Sequence, residues 1–358
     1  MNLSNSIYSG INGWSKLQEI VREYHSSGIY ILVDENTETH CLPVLLEKCT
    51  SLSGFPIIKL QSGESNKTLT GLEKVWRMLS SGQARRNSLL ICLGGGVISD
   101  IGGFAAATFK RGMNFIHIPT TLLAMVDASI GGKTGINLDS VKNQIGIFAQ
   151  PKGVFVFTEF LNTLPERQKL SGYAEMIKHA LIDSEQHFGE LLLMNSPDKF
   201  CTENAVLTSA SVKIKVVNQD PSEGGIRKVL NFGHTIGHAI ESYSQQNDSD
   251  PLVHGEAIAI GIICESYISM RFCGLAPKDL ETLTHLVMQH FPHYAISKNS
   301  VTELLALMRH DKKNTDKDTL NFSLIRKIGE PVFDQFPEEI LIRESLHFYT
   351  NLEIGFPV

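Results

Sequence analysis

The sequence predicts an α/β protein, an N-terminal Rossmann-like parallel-sheet domain followed by a mostly α-helical C-terminal domain. Short β-rich runs alternate with helical or Gly-rich segments through the first half, the pattern of a parallel sheet with crossover helices. Beyond "FLNTLPERQKLSG" the β-runs almost vanish and apolar residues recur at helical spacing. At 358 residues the chain also exceeds the size at which a single core stops growing.

Along the first half, "GIYILVDEN", "PIIKL", "SLLICLGGG", "NFIHIPTT" and "GVFVFTEF" read as strands, rich in β-branched and aromatic residues between Gly, Pro and Asn stops. The Pro165 turn marks the boundary, giving an α/β domain over 1–163 and a helical domain over 164–358. In the latter, "YAEMIKHALI", "AVLTSASVKIKVV", "EAIAIGIICESYI" and "SVTELLALMRH" carry the helical period. Between two of these helices, "SYSQQNDSDPLV" (242–253) reads as a polar surface loop.

Composition narrows the function classes. Apolar residues are 42% and charged residues 20%, with 32 Lys+Arg against 38 Asp+Glu and a net charge of −6, which argues against nucleic acid or an anionic membrane as partner. The six cysteines form no CxxC pair and lie mostly in apolar runs, as in a reducing compartment. "MNLSNSIYSGINGW" lacks a basic and an apolar leader region, and no apolar run reaches the roughly 18 residues of a membrane span, so a cytoplasmic location is expected.

Two stretches carry chemistry. "SLLICLGGGVISDIGGFAAATF" passes from an apolar strand through Gly94, Gly95 and Gly96 into a small-residue helix, where backbone N–H groups can approach a pyrophosphate. As G-x-G-x-x-G it ends in Ser99, and a plain βα turn explains three glycines equally well. "SIGGKTGIN" fails as a P-loop because Asp127 stands at the first Gly position, leaving Lys133 between glycines and Lys142 and Asn143 after it.

The second stretch is "NFGHTIGHAIE", in which His234 and His238 share a helix face without the Glu of H-E-x-x-H, since Thr235 stands there. A single helical histidine is most simply a hydrogen-bonded core or surface residue. The company changes that weighing: "LVHGEAIAIG" supplies His254 and Glu256, and "GYAEMIKHAL" supplies Glu175, Lys178 and His179. Three ligands among Glu175, His234, His238 and His254 would make a catalytic metal site, and spacing leaves open which three. Lys213, Arg227, Lys228, Lys312 and Lys313 are either a solvated face or donors to a phosphate or carboxylate.

Taken together, "GGGVISDIGGF", "FKRG", "IPTTLLAMVDASIGGKTGIN", "KNQIG", "TLPERQKLSGYAEMIK", "RKVLNFGHTIGHAIE" and "VHGEA" resemble the 3-dehydroquinate synthases of the sugar phosphate cyclase group, over nearly the whole chain. The resemblance implies an NAD site at Asp34, Glu64, Lys67, Gly95, Gly96, Val97, Ser99, Asp100, Thr120, Thr121, Asp127, Lys133, Lys142 and Thr163. It implies zinc or cobalt on Glu175, His234 and His254. Lys133, Asn143, Lys178 and His238 fall at the substrate phosphate, with Arg111 from a neighbouring subunit of a homodimer. Lys213, Arg227, Asn231 and Lys312 fall at the carboxylate and hydroxyls. Ser99 stands where the family usually has Gly, and Ala149 where His is common.

The reaction implied converts 3-deoxy-arabino-heptulosonate 7-phosphate to 3-dehydroquinate and phosphate in the shikimate pathway. The resemblance further implies that the departing phosphate serves as its own base, which would account for Thr235. Two alternatives stand beside it: a cyclase for another sugar phosphate, such as an inosose synthase, and a metal-dependent NAD alcohol dehydrogenase.

Overall fold

The computed structural model describes residues 6–139, 141–297, 300–309 and 319–352, and the chain divides into two compact units. One comprises residues 1–165 and 201–218, the other 166–200 and 219–358. The segment 201–218, which a single cut at 163/164 assigns to the second domain, therefore groups with the first unit.

In the first unit the strands are β1 (Ile7–Ser9), β2 (Ile29–Asp34), β3 (Ile57–Leu60), β4 (Leu89–Gly94), β5 (Asn114–Pro119), β6 (Lys133–Leu138), β7 (Val141–Phe148) and β8 (Val154–Val156). Six of them form a parallel sheet in the order β1-β8-β5-β4-β2-β3. All six residues of β4 are buried, so its apolar run without alternation is that of a central parallel strand. The order reverses between β2 and β4, and the carboxyl ends of these neighbours carry Asp34 and Gly94. Such a switch point is where open α/β sheets bind ligands.

Sequence patterning misses the β6/β7 hairpin. Gly135 and Gly146 face each other across it, and a Cβ on either would lie 3.1 Å from the other's Cα. Close backbone approach thus replaces the β-branched signal a strand usually gives.

Helices dominate the second unit: Glu166–Asp183, Glu185–Leu192, His234–Asn247, His254–Ile268, Pro277–His290, Ser300–Arg309 and Glu339–Thr350. His254–Ile268 is buried nearly throughout, as a helix with apolar residues on every side requires, and it takes Glu256 and Glu265 into the interior with it. An antiparallel hairpin, β9 (Phe322–Lys327) with β10 (Glu330–Gln335), also belongs to this unit, so strands do not vanish from the second half. The expected loop over 242–253 is shorter than its polar composition suggests. Ile240, Glu241 and Ser244 keep a buried face, and the helix runs on to Asn247. Among the described residues, no helix is long and apolar enough to cross a membrane.

Candidate active site

Glu166–Asp183 is buried from Ser171 to Ile182, which puts Glu175 and Lys178 in the interior rather than on a surface. A buried carboxylate needs a matching charge. Glu175 Oε2 pairs with the Lys178 ammonium, while Oε1 stands 3.3 Å from both His234 Nε2 and His254 Nε2.

Each imidazole is the first residue of its helix. The chain enters the His234 helix through Gly233 at φ +80°, where a Cβ would lie 2.6 Å from the Ile262 side chain, so only glycine makes this turn against the neighbouring helix. The outer nitrogens are engaged: His234 Nδ1 lies 3.1 Å from the Phe232 carbonyl, and His254 Nδ1 lies 3.4 Å from Glu241 Oε2. Giving Nδ1–H to such acceptors leaves both Nε2 atoms directed at Glu175 as donors of a lone pair. Ligand atoms around a tetrahedral ion at about 2.1 Å stand about 3.4 Å apart, so this donor set fits a zinc-like dication.

Electrostatics point the same way. Burial works against the charge on Glu175, but the Lys178 ammonium beside it outweighs burial and holds the carboxyl well below its usual range. Burial pushes His234 down to about 3, leaving it neutral. On His254 burial also disfavours charge, yet Glu241 and Glu175 carry it up to about 10. The carboxylates that favour positive charge on His254 would equally favour a dication held between them.

One turn beyond His234, the His238 ring centroid is 5.1 Å from that of His234 and 5.8 Å from that of His254. Thr235 donates its hydroxyl to the Asn321 carbonyl at 3.2 Å. Upstream, the Asp220 carboxylate gathers the backbone N–H groups of Gly224, Gly225 and Arg227, closing the loop that leads to the site. The Arg227 side chain is 1% exposed and donates to the Pro221 carbonyl at 2.6 Å. Asn231 donates to Glu223 Oε1 at 3.4 Å. Lys228, by contrast, bonds both Asp334 oxygens at 2.9 Å and is a strut to β10.

In the first unit, buried Lys67 joins Asp100 and Asn143 through its ammonium. Asn137 extends the network, donating to Glu64 Oε1 at 2.9 Å and accepting from the Asn143 backbone at 2.8 Å. A substrate candidate, Asn143, is thereby joined to the cofactor candidates Glu64, Lys67 and Asp100. Burial raises the Asp100 carboxyl against the pull of Lys67.

Lys213 belongs to this unit too, bonding the Asp127 carboxylate and carbonyl, each at 2.8 Å. Gly95 is the N-cap of the helix Gly96–Thr108 and offers no side-chain cap, and Ser99 Oγ, buried in its first turns, has no hydrogen-bond partner among the described residues. An uncapped helix start with an orphan hydroxyl fits a bound phosphate. Thr120 is buried at the end of β5, and Thr121 accepts from the Ala124 backbone at 3.2 Å. Lys133 is exposed at the start of β6, Lys142 lies in β7, and Thr163 ends the 3-10 helix Thr158–Thr163. Arg111 is exposed at φ +65°. Lys312 lies outside the described residues.

Sequence reasoning passes over Asn137, Glu223, Glu241 and Glu265. Glu241, seven residues after His234 and so on the same helix face, had a legible signal; Glu265 is tied to the site by long-range contacts, and Asn137 and Glu223 by loop and hairpin contacts that follow no period.

The family models described as 3-dehydroquinate synthase N-terminal and C-terminal match residues 57–171 and 172–314. The chain is 42% identical over 337 residues to a 3-dehydroquinate synthase of Parabacteroides distasonis, covering 94% of this chain and 95% of that one. A 3-dehydroquinate synthase of Pelagibacter ubique is 36% identical over 358 residues, covering 95% of each. Among solved structures, 2-deoxy-scyllo-inosose synthase complexed with carbaglucose-6-phosphate, NAD+ and Co2+ superposes with a TM-score of 0.82 at 27% identity, over 95% of both chains. On these matches, which run through both units, the chain belongs to the 3-dehydroquinate synthase family.

Proposed function

We propose that the protein is an NAD- and metal-dependent lyase that converts 3-deoxy-D-arabino-heptulosonate 7-phosphate to 3-dehydroquinate and phosphate. Carrying this reading is the convergence of Glu175 Oε1 with Nε2 of His234 and His254 beside Lys178. When bound, NAD supplies a reversible hydride acceptor and zinc or cobalt a Lewis acid for the carbinol and ketone oxygens.

The chain's own residues bind and orient. Glu175, His234 and His254 hold the metal with three protein donors, the number a catalytic zinc site uses. Gly95, Gly96, Val97 and Ser99 receive the NAD pyrophosphate, Asp34 across the switch point its ribose, and Glu64, Lys67, Asp100, Thr120, Thr121, Asp127, Lys142 and Thr163 its remainder. Lys133, Asn143, Lys178 and His238 are assigned to the substrate phosphate, and Lys213, Arg227, Asn231 and Lys312 to its carboxylate and hydroxyls. With the Thr235 hydroxyl given to Asn321, no general base stands beside His234 in sequence. The phosphate's own oxygens then take the proton from the carbon next to the ketone.

Residues 1–163 are assigned as the NAD domain and 164–358 as the metal and substrate domain, apart from 201–218, which group with the first unit. We also assign a cytoplasmic homodimer in which Arg111 reaches the partner's site. Supporting it are the exposure of Arg111 and of Leu138, Val141, Ile145, Ile147 and Phe148 along the β6/β7 ribbon, and the burial of Cys41, Cys49, Cys92 and Cys264 as thiols.

A cyclase acting on a neutral sugar phosphate would have no use for the cations assigned to the carboxylate. The test is phosphate release from the heptulosonate substrate by purified protein supplied with NAD and zinc or cobalt. Omission of either cofactor should abolish it, and no release with the metal site loaded would refute the assignment.

A further inference from the structure

We propose that Glu241 is a positioning residue of the metal centre, holding the His254 ring by Nδ1 so that Nε2 meets Oε1 of Glu175. The inference rests on the metal-site reading above and deepens it.

The two histidine ligands are not equally constrained. The His234 side chain is 11% exposed and its Nδ1 is held by a carbonyl of its own chain two residues away. That of His254 is 27% exposed at the first position of its helix, next to the loop that ends at Val253. Its ring needs an outside partner to select one orientation.

Two carboxylates are at hand. Glu256, two residues on, is already committed: Oε2 accepts from the Val253 backbone at 2.9 Å, and its two oxygens take the Arg167 guanidinium at 2.7 and 2.8 Å. Glu241 is the one that reaches the imidazole, with Oε2 3.4 Å from Nδ1 and a side chain only 6% exposed. The same helix carries His234 two turns earlier, so one rigid element sets both a ligand and the group that orients the other. Charge is also served. Lys178 already offsets Glu175, and the Glu241 carboxylate opposes part of the positive charge a dication brings into a buried site.

The experiment is zinc and cobalt affinity by competition with a chromophoric chelator, together with metal stoichiometry and the visible spectrum of the cobalt form. Wild-type protein should bind one ion per chain and Glu175→Ala none. Glu241→Ala should still bind one ion per chain, with affinity lowered about 10- to 100-fold and an altered cobalt spectrum. Glu241→Gln, whose amide oxygen can still accept from Nδ1–H, should fall toward the low end of that range, about 10-fold. Unchanged affinity and spectrum in both Glu241 variants would overturn the inference, and so would a Glu241→Ala protein that binds no metal, because Glu241 would then be a ligand. If Glu241→Ala does not fold, Glu241→Gln decides alone. Wild-type protein without stoichiometric metal would overturn the underlying metal-site reading instead.

Discussion

Glu265 offers the sharpest test of how the His234 helix is held. Its side chain is fully buried on His254–Ile268, and its two oxygens accept from the Gly233 backbone at 2.7 Å and the Ile236 backbone at 3.0 Å. These donors belong to the start of the His234 helix, where backbone N–H groups have no intrahelical partner. Glu265→Met preserves most of the volume and removes both acceptors. A buried donor left unpaired costs about 1–3 kcal/mol, so two cost roughly 2–6 kcal/mol. Relief of a desolvated charge offsets part of this, and the expected net loss is about 2–4 kcal/mol. Against a typical stability of about 5–15 kcal/mol, such a loss is readily measured. Urea unfolding followed by far-ultraviolet circular dichroism reads the helices directly. Trp14 and Trp76 both lie in the first unit, so their fluorescence reports on a region the substitution does not touch. A loss below about 1 kcal/mol would refute the reasoning that these two bonds fix the helix start.

Three further outcomes are expected. His117, buried on β5 with Nδ1 lacking a hydrogen-bond partner among the described residues, is pushed by burial from 6.5 down to about 3. The unfolded chain therefore takes up the proton first, so the stability this neutral histidine contributes is complete above pH 6.5 and is lost as the pH falls toward 3. His117→Leu should remove about 2 kcal/mol of the acid destabilisation between neutrality and about pH 5, measured by urea midpoints; an unchanged pH slope would contradict the burial argument. In Gly255→Ala, the new Cβ would lie 2.6 Å from the Ser171 carbonyl carbon; backbone cannot yield cheaply there, and about 1–3 kcal/mol of stability and much metal affinity should be lost together. His234→Ala should lose the metal, whereas His238→Ala should keep it while losing activity, as metal analysis beside a phosphate-release assay would show.

Much of this was legible in sequence for physical reasons. Buried parallel strands such as β4 are uninterrupted apolar runs, and helices with one buried face repeat at their own period, so five sheet strands and the main helices announce themselves. β1 is three half-buried residues with no apolar run, unlike the equally short but fully buried β8, β6 and β7 hide behind glycines, and β9 and β10 are bracketed by helices. At the metal centre, spacing alone left four candidate ligands. What the fold adds is direction: Glu175 Oε1 faces Nε2 of both His234 and His254, while the groups fixing those rings, the Phe232 carbonyl and Glu241, are seen only after folding. Asn137 and Glu265 were illegible because a single polar residue in an apolar or strand context has no period, and its partner lies far off in sequence.

A cyclase of this family borrows NAD's oxidising power and returns it. This is tested by recording phosphate release and the near-ultraviolet absorbance of NADH together while metal-loaded protein turns over the heptulosonate 7-phosphate. A cyclase releases one phosphate per substrate consumed, with absorbance back at its starting value when the reaction ends. NADH accumulating in proportion to substrate would mark a dehydrogenase. Absence of phosphate from protein carrying its full complement of metal and NAD would rule out the cyclase.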